Sequence, residues 1–151
     1  DYNATAPISE SCKKSMVAAM DVFGNASSIH FEGRKVRSLI ENAREQISIS
    51  LDVQPDNIIF TSGATEGAAL LLKGQGRTCS SIEHRCVASW CDESIQVSKD
   101  GLVDVIDLPN SSVQLANSET GILQDLRQGL YMSDIVQGVG KIDFSFKNCF
   151  V

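Results

Sequence analysis

The stretch from residue 58 to residue 72 constrains the fold most. Three consecutive apolar residues, Ile58-Ile59-Phe60, run directly into Thr61-Ser62-Gly63-Ala64-Thr65-Glu66 and then into Leu70-Leu71-Leu72. A short apolar run bounded by turn residues predicts a fully buried strand, and the small and polar residues after it predict a tight turn that opens a helix. Strand, turn and helix in that order are the unit from which parallel sheets are built. The turn also sets the hydroxyls of Thr61, Ser62 and Thr65 and several backbone N–H groups at a helix N-terminus. There the first amides have no intrahelical acceptor and the helix dipole favours an anion by about 0.3–1 kcal/mol. The stretch is no P-loop, because the lysine of GxxxxGK[ST] is absent.

The flanking chain fits the same class. Ser9 or Ser11 caps a predicted first helix running to about Asp21, with Met16, Val17 and Met20 on its buried stripe and Gly24-Asn25 after it. Val36, Leu39, Ile40, Ala43, Ile47 and Leu51 recur at helical spacing, with Arg37 and Glu41 at i, i+4 on the wet face, and Pro55 and Asp56-Asn57 close that helix. Short strands are predicted around residues 78–82, 103–106 and 113–116, and a helix near His84. The expectation is an α/β fold, a mostly parallel sheet with helices on both faces.

The composition, 42% hydrophobic and 21% charged over 151 residues, is that of a folded chain, and the length allows one core. A net charge of −6 with scattered basic residues argues against a nucleic-acid partner. No apolar run reaches the roughly 18 residues of a membrane span, and the first residues lack a signal-peptide pattern, so a cytoplasmic location is expected. The cysteines, Cys12, Cys79, Cys86, Cys91 and Cys149, form no CxxC pair, which signals neither a disulfide framework nor a zinc site. Starting at Asp1 rather than Met, the chain is expected to be a processed or partial product.

Six runs, in order, carry a family resemblance. They are Asp1-Tyr2-Asn3-Ala4-Thr5-Ala6-Pro7, Phe23-Gly24-Asn25-Ala26-Ser27-Ser28-Ile29-His30 followed by Gly33-Arg34, Thr61-Ser62-Gly63-Ala64-Thr65-Glu66, Ile82-Glu83-His84, Ala116-Asn117-Ser118-Glu119-Thr120-Gly121, and Asp134-Ile135-Val136-Gln137-Gly138-Val139-Gly140-Lys141. Together they resemble the cysteine desulfurase branch of the class V aminotransferases. The resemblance implies the large domain of a fold-type I pyridoxal-phosphate enzyme, truncated, with residues 1–151 as its incomplete N-terminal part. It also implies an activity, taking sulfur from L-cysteine and leaving alanine, for iron–sulfur cluster assembly.

By the same resemblance, Ala64 and Thr65 hold the cofactor phosphate, and Asp134 pairs with the pyridine nitrogen. A carboxylate there keeps the nitrogen protonated, so the ring accepts electron density. Gln137 matches the glutamine that donates to the phenolate oxygen, and His84 the histidine that stacks on the ring and handles protons, work suited to an imidazole. Ser118 stands where many relatives carry an asparagine, and a serine there donates one shorter-reaching hydrogen bond. His30 is expected to shape its loop. Cys86 and Cys91 are expected to pack, and Lys141 to be a framework residue.

The family reaction needs a lysine that forms a Schiff base with the cofactor, placed after a Ser-x-His motif. The two histidines here, His30 and His84, precede no lysine, and the persulfide-forming cysteine and carboxylate-clamping arginine also belong to the C-terminal half; Cys149 is no substitute. The chain alone is therefore expected to be inactive. The alternatives are a non-catalytic remnant or cofactor-binding module, or another class V enzyme such as a selenocysteine lyase. The resemblance further implies a homodimer when complete and an iron–sulfur scaffold or other sulfur acceptor as partner. Connections between motifs are shorter than in the family, and 122–133 is barely long enough for a parallel crossover. Exposed apolar edges, with low solubility or oligomerisation, are the expected consequence.

Overall fold

The computed structural model describes residues 2–143, which form two compact units dividing between Ile59 and Phe60. Asp1 and Cys149, both named above, lie outside the described residues. Among the described residues no helix is long and apolar enough to cross a membrane.

The first unit is helical. Helix α1 spans Glu10–Met20, and Ser9 caps it by accepting the Cys12 N–H at 3.2 Å. Helix α2 spans Phe31–Leu51 and ends at Asp52, whose φ of 52° makes a left-handed cap before the 3-10 turn Pro55–Asn57. At the start of α2 the loop 25–30 folds tightly back: a Cβ on Gly33 would lie 2.5 Å from the carbonyl oxygens of Asn25 and Ser28. Only glycine allows that approach, and the Arg34 guanidinium secures the loop by donating to the Ile29 carbonyl. His30 stands at the N-cap with no side-chain capping bond.

The second unit carries α3 (Ala64–Leu72), β1 (Thr78–Ser80), α4 (Arg85–Ala88), β2 (Asp92–Val97) and β3 (Val103–Asp104). Strands β1 and β2 are parallel, while β3 returns antiparallel to β2, so the sheet is mixed. On the other side of β1 the parallel pattern continues through single bridges, Thr78 to Ser111 and Ser112 to Met132. Backbone bonds from Ser112 N to Thr78 O (2.8 Å), Val113 N to Met132 O (3.2 Å) and Leu115 N to Asp134 O (2.8 Å) hold segments 111–115 and 132–134 alongside. Alternation along these strands separates two cores. Ala68, Leu72, Cys79, Val87 and Met132 form one, beneath α3 and α4, and Val105, Val113 and Leu130 form the other.

The α/β expectation holds, with several corrections. Residues 58–60 form no strand: Ile59 is 80% exposed, no ladder pairs them, and the Ile58 carbonyl accepts from the Arg44 guanidinium instead. The apolar stripes of α1 and α2 are largely wet. Met16, Val17, Met20, Leu39, Ile40 and Ile47 are exposed, because a stripe is buried only where another layer covers it. Glu41 pairs with Arg44 at 3.0 Å, one turn on, rather than with Arg37. Residues 113–116 pair through bridges rather than a full strand, and β2 was not anticipated. Between 116 and 131 there is no crossover helix. Ala116 and Leu123 make an antiparallel bridge, and the chain returns to a parallel position with Leu126 and Leu130 against the second core. That second face is therefore covered by loop segments and the 3-10 turn Leu108–Asn110, and α3 and α4 belong to the first.

Candidate functional site

Three adjacent parallel segments end on the same side of the second unit. Just past the carboxyl end of β1 come Ile82, Glu83 and His84; past 111–115 come Asn117 and Ser118; and 132–134 ends in Asp134. Ligands of open parallel sheets bind in the crevice outside the carboxyl ends of the strands. A cavity of about 170 Å³ adjoins the last of these ends, between α3, α4 and residues 132–136, lined among others by Ala64, Gly67, Cys86, Ser133 and Asp134. It thus brings the N-terminus of α3 together with the carboxylate of Asp134.

At that N-terminus Gly63 offers no side-chain cap, leaving the first-turn amides without an intrahelical partner. A Cβ built on Gly63 would meet nothing within 4 Å, so the space before the helix is open. Thr65 is exposed there. The turn is braced from behind: Thr61 Oγ1 donates to Gly63 O at 3.1 Å, and Glu66 Oε2 accepts the Ser62 N–H at 2.6 Å. The Ser62 side chain first, and this backbone N–H second, hold the Glu66 carboxyl below its ordinary value.

Asp134 Oδ1 accepts the Val136 N–H at 2.9 Å, which fixes the carboxylate at the head of the following turn. Gly138 lies in that turn so close to Leu115 that a Cβ would come within 2.5 Å of Leu115 Cδ2. Half-buried Gln137 has Oε1 accepting from Lys141 Nζ at 2.5 Å. Lys141 is thus tied to Gln137.

His84 caps α4: its Nδ1 accepts the Cys86 N–H at 3.2 Å, and Cys86 Sγ lies 3.0 Å from the same nitrogen. Ser118 is half-buried beside Asn117. Of the residues predicted for the site, Ala64 and Asp134 line the cavity and Thr65 adjoins it in the chain. His84 reaches it through Cys86, while Ser118 and Gln137 stand off its wall.

Two supporting residues escaped sequence reasoning. Glu83 is only 8% exposed; Oε1 accepts the Gln114 N–H at 2.7 Å, and Oε2 has no hydrogen-bond partner among the described residues. Burial first, with the nearby Asp134 charge adding, pushes its carboxyl up to about 8, against the Gln114 bond. Asn117, also buried, donates to Ile82 O at 2.9 Å and accepts from the Glu119 and Thr120 amides at 2.9 and 2.8 Å. Charged or polar residues inside apolar-flanked motifs were the available signal. Burial raises the thiol pKa of Cys86 and Cys91, and takes that of Cys79 up to about 12, which favours the protonated sulfur at these three positions.

Residues 1–89 match the family Aminotransferase class-V. Across 94% of its length the chain is 33% identical to cysteine desulfurase IscS of Dictyoglomus turgidum, covering 45% of that protein. It is 35% identical over 91% of its length to cysteine desulfurase IscS 1 of Archaeoglobus fulgidus, covering 42% of it. Among solved structures, a NifS-like protein from Rickettsia africae superposes with a TM-score of 0.81 at 31% identity, over 98% of this chain and 50% of that one. SspA in complex with cysteine gives 0.84 at 26% identity, over 98% and 53%. The chain spans about half the length of the relatives it matches.

Proposed function

Because the chain belongs to the class-V aminotransferase family, we propose that residues 64–137 form the cofactor cradle of a cysteine desulfurase. The enzymes of this family use pyridoxal 5′-phosphate, and the residues present fit it. Ala64, in the first turn of a helix that has no side-chain cap, and Asp134, whose carboxylate suits a ring nitrogen, line one cavity, with Thr65 next to Ala64 in the chain. That juxtaposition is the observation that carries the reading.

In this reading the amides of Ala64 and Thr65 and the Thr65 hydroxyl hold the phosphate. Asp134 keeps a proton on the ring nitrogen, its Oδ1 already fixed by Val136 N–H. Gln137 would donate to the phenolate oxygen, Ser118 would give one further hydrogen bond, and His84 would face the ring and hold or move a proton at Nε2. The cofactor, when bound, supplies the electron sink that makes chemistry at an amino-acid α-carbon accessible.

For the whole protein we infer L-cysteine as substrate, sulfur passed to an iron–sulfur scaffold or other acceptor, and a homodimer in the cytoplasm. We read residues 1–151 as an incomplete large domain. A second reading, a cofactor-binding module without catalysis, is favoured for these 151 residues by one observation: no Ser-x-His run precedes a lysine.

The test is an absorbance titration of the chain with pyridoxal 5′-phosphate, followed by borohydride and intact-mass measurement. Saturable binding without a stoichiometric lysine adduct is expected. Asp134→Ala should weaken binding roughly tenfold to a hundredfold, since a charge-assisted hydrogen bond contributes about 1.5–3 kcal/mol. Binding indifferent to Asp134 sinks the cradle, and a single-site adduct with sulfide release from cysteine sinks the non-catalytic reading.

A further inference from the structure

Two donors of one residue converge on one nitrogen of His84. The Cys86 backbone N–H reaches Nδ1 at 3.2 Å and the Cys86 sulfur lies 3.0 Å from it. A ring nitrogen that accepts a backbone N–H carries a lone pair, so in the neutral imidazole the proton is on Nε2. The thiol must then be the donor to Nδ1. It is suited to that part, because burial and the carboxylate of Asp134 raise the Cys86 pKa and keep the sulfur protonated at neutral pH. The titratable groups acting on it from neighbouring elements are Asp134, at the end of segment 132–134, and Glu83, on the turn after β1. Cys86 also lines the cavity that holds Ala64 and Asp134.

We propose that Cys86 is a positioning residue for His84: its thiol and its amide clamp Nδ1 together, fixing the ring plane and the Nε2–H tautomer beside the cavity. Cys86 is then more than a packing residue. The clamp needs no thiolate, which separates it from any nucleophilic use of the sulfur. It also sets what His84 can do, since a ring held by Nδ1 exchanges its proton only at Nε2. This role rests on His84 being the histidine that faces the cofactor.

The test reads the imidazole alone, in the 151-residue chain without cofactor, so failure of the clamp and failure of the cradle are distinguishable. The chain, labelled with ¹⁵N-histidine, contains only His30 and His84, and a His30→Gln variant assigns the spectrum. At a pH where the ring is neutral, the wild type should show His84 as the Nε2–H tautomer, with Nδ1 shifted upfield as a hydrogen-bond acceptor. Cys86→Ala, which keeps the amide, should move Nδ1 downfield, and Cys86→Ser should restore it. A wild-type ring protonated on Nδ1 overturns the proposal without any variant, and so does an Nδ1 signal unchanged in Cys86→Ala.

Discussion

The carboxylate oxygen Oε1 of Glu83 accepts the backbone N–H of Gln114 at 2.7 Å, joining the turn after β1 to the next parallel segment. Gln114 answers by donating its Nε2 to Ile82 O at 2.6 Å, so two neighbouring strand ends are closed on each other immediately behind His84. A buried carboxyl at such a join makes stability depend on pH.

The direction follows from linkage. Below the ordinary carboxylate pKa of 4.5, Glu83 is protonated folded and unfolded. Between 4.5 and about 8 the unfolded chain ionises it while the folded chain keeps the proton, so stability falls as pH rises through that window and levels off above it. The loss is on the order of a few kcal/mol. Urea midpoints at pH 5, 6.5 and 8, below the range in which the thiols titrate, should decline for the wild type and stay nearly level for Glu83→Gln, which mimics the protonated acid. The same slope in both would remove Glu83 as its source.

Gly33 makes the loop 25–30 a rigid piece. Its missing Cβ is what lets the carbonyls of Asn25 and Ser28 approach, and backbone atoms cannot give way as a flexible side chain would. Gly33→Ala should destabilise the first unit by about 1–3 kcal/mol or more. Thermal unfolding followed at 222 nm checks this, and a midpoint equal to the wild type would mean that the loop moves aside at no cost.

Helix α3 presents its N-terminus to the cavity only if its other end is anchored. Leu72 is completely buried in the core with Cys79, Val87 and Met132. Leu72→Ala should cost about 2–5 kcal/mol, and the amides of α3 should lose hydrogen-exchange protection before those of α2. Loss confined to α2 would contradict this placement of the core.

What was legible in the sequence depended on whether the signal was local. Helices α1, α2 and α3 follow from apolar spacing and the turn residues around them, and of the two serines offered as the α1 cap it is Ser9 that serves. Ile58-Ile59-Phe60 misled because an apolar run is a strand only when a neighbour pairs with it, and here Ile59 faces solvent. Strand β2 went unseen because Asp92, Glu93, Ser94 and Gln96 leave only Ile95 and Val97 as apolar marks on a mostly exposed strand. At the site, Ala64 and Asp134 were recognisable from motifs, and the cavity joins them. Glu83 and Asn117 were not singled out, because a carboxylate or an amide reads as solvent-facing until tertiary structure buries it. The pairing of Cys86 with His84 depends on the cap geometry of α4, which no spacing rule specifies.

The central claim is that the N-terminus of α3 and Asp134 act as one cradle. Titrating ¹⁵N-labelled chain with pyridoxal 5′-phosphate and following backbone amides reads both ends at once. The account predicts that the signals of Ala64 and Thr65 and that of Val136, whose N–H is bonded to Asp134, shift together with a single saturation midpoint. Shifts scattered over exposed lysines with Ala64 and Thr65 unmoved, or separate midpoints for the two ends, would contradict it.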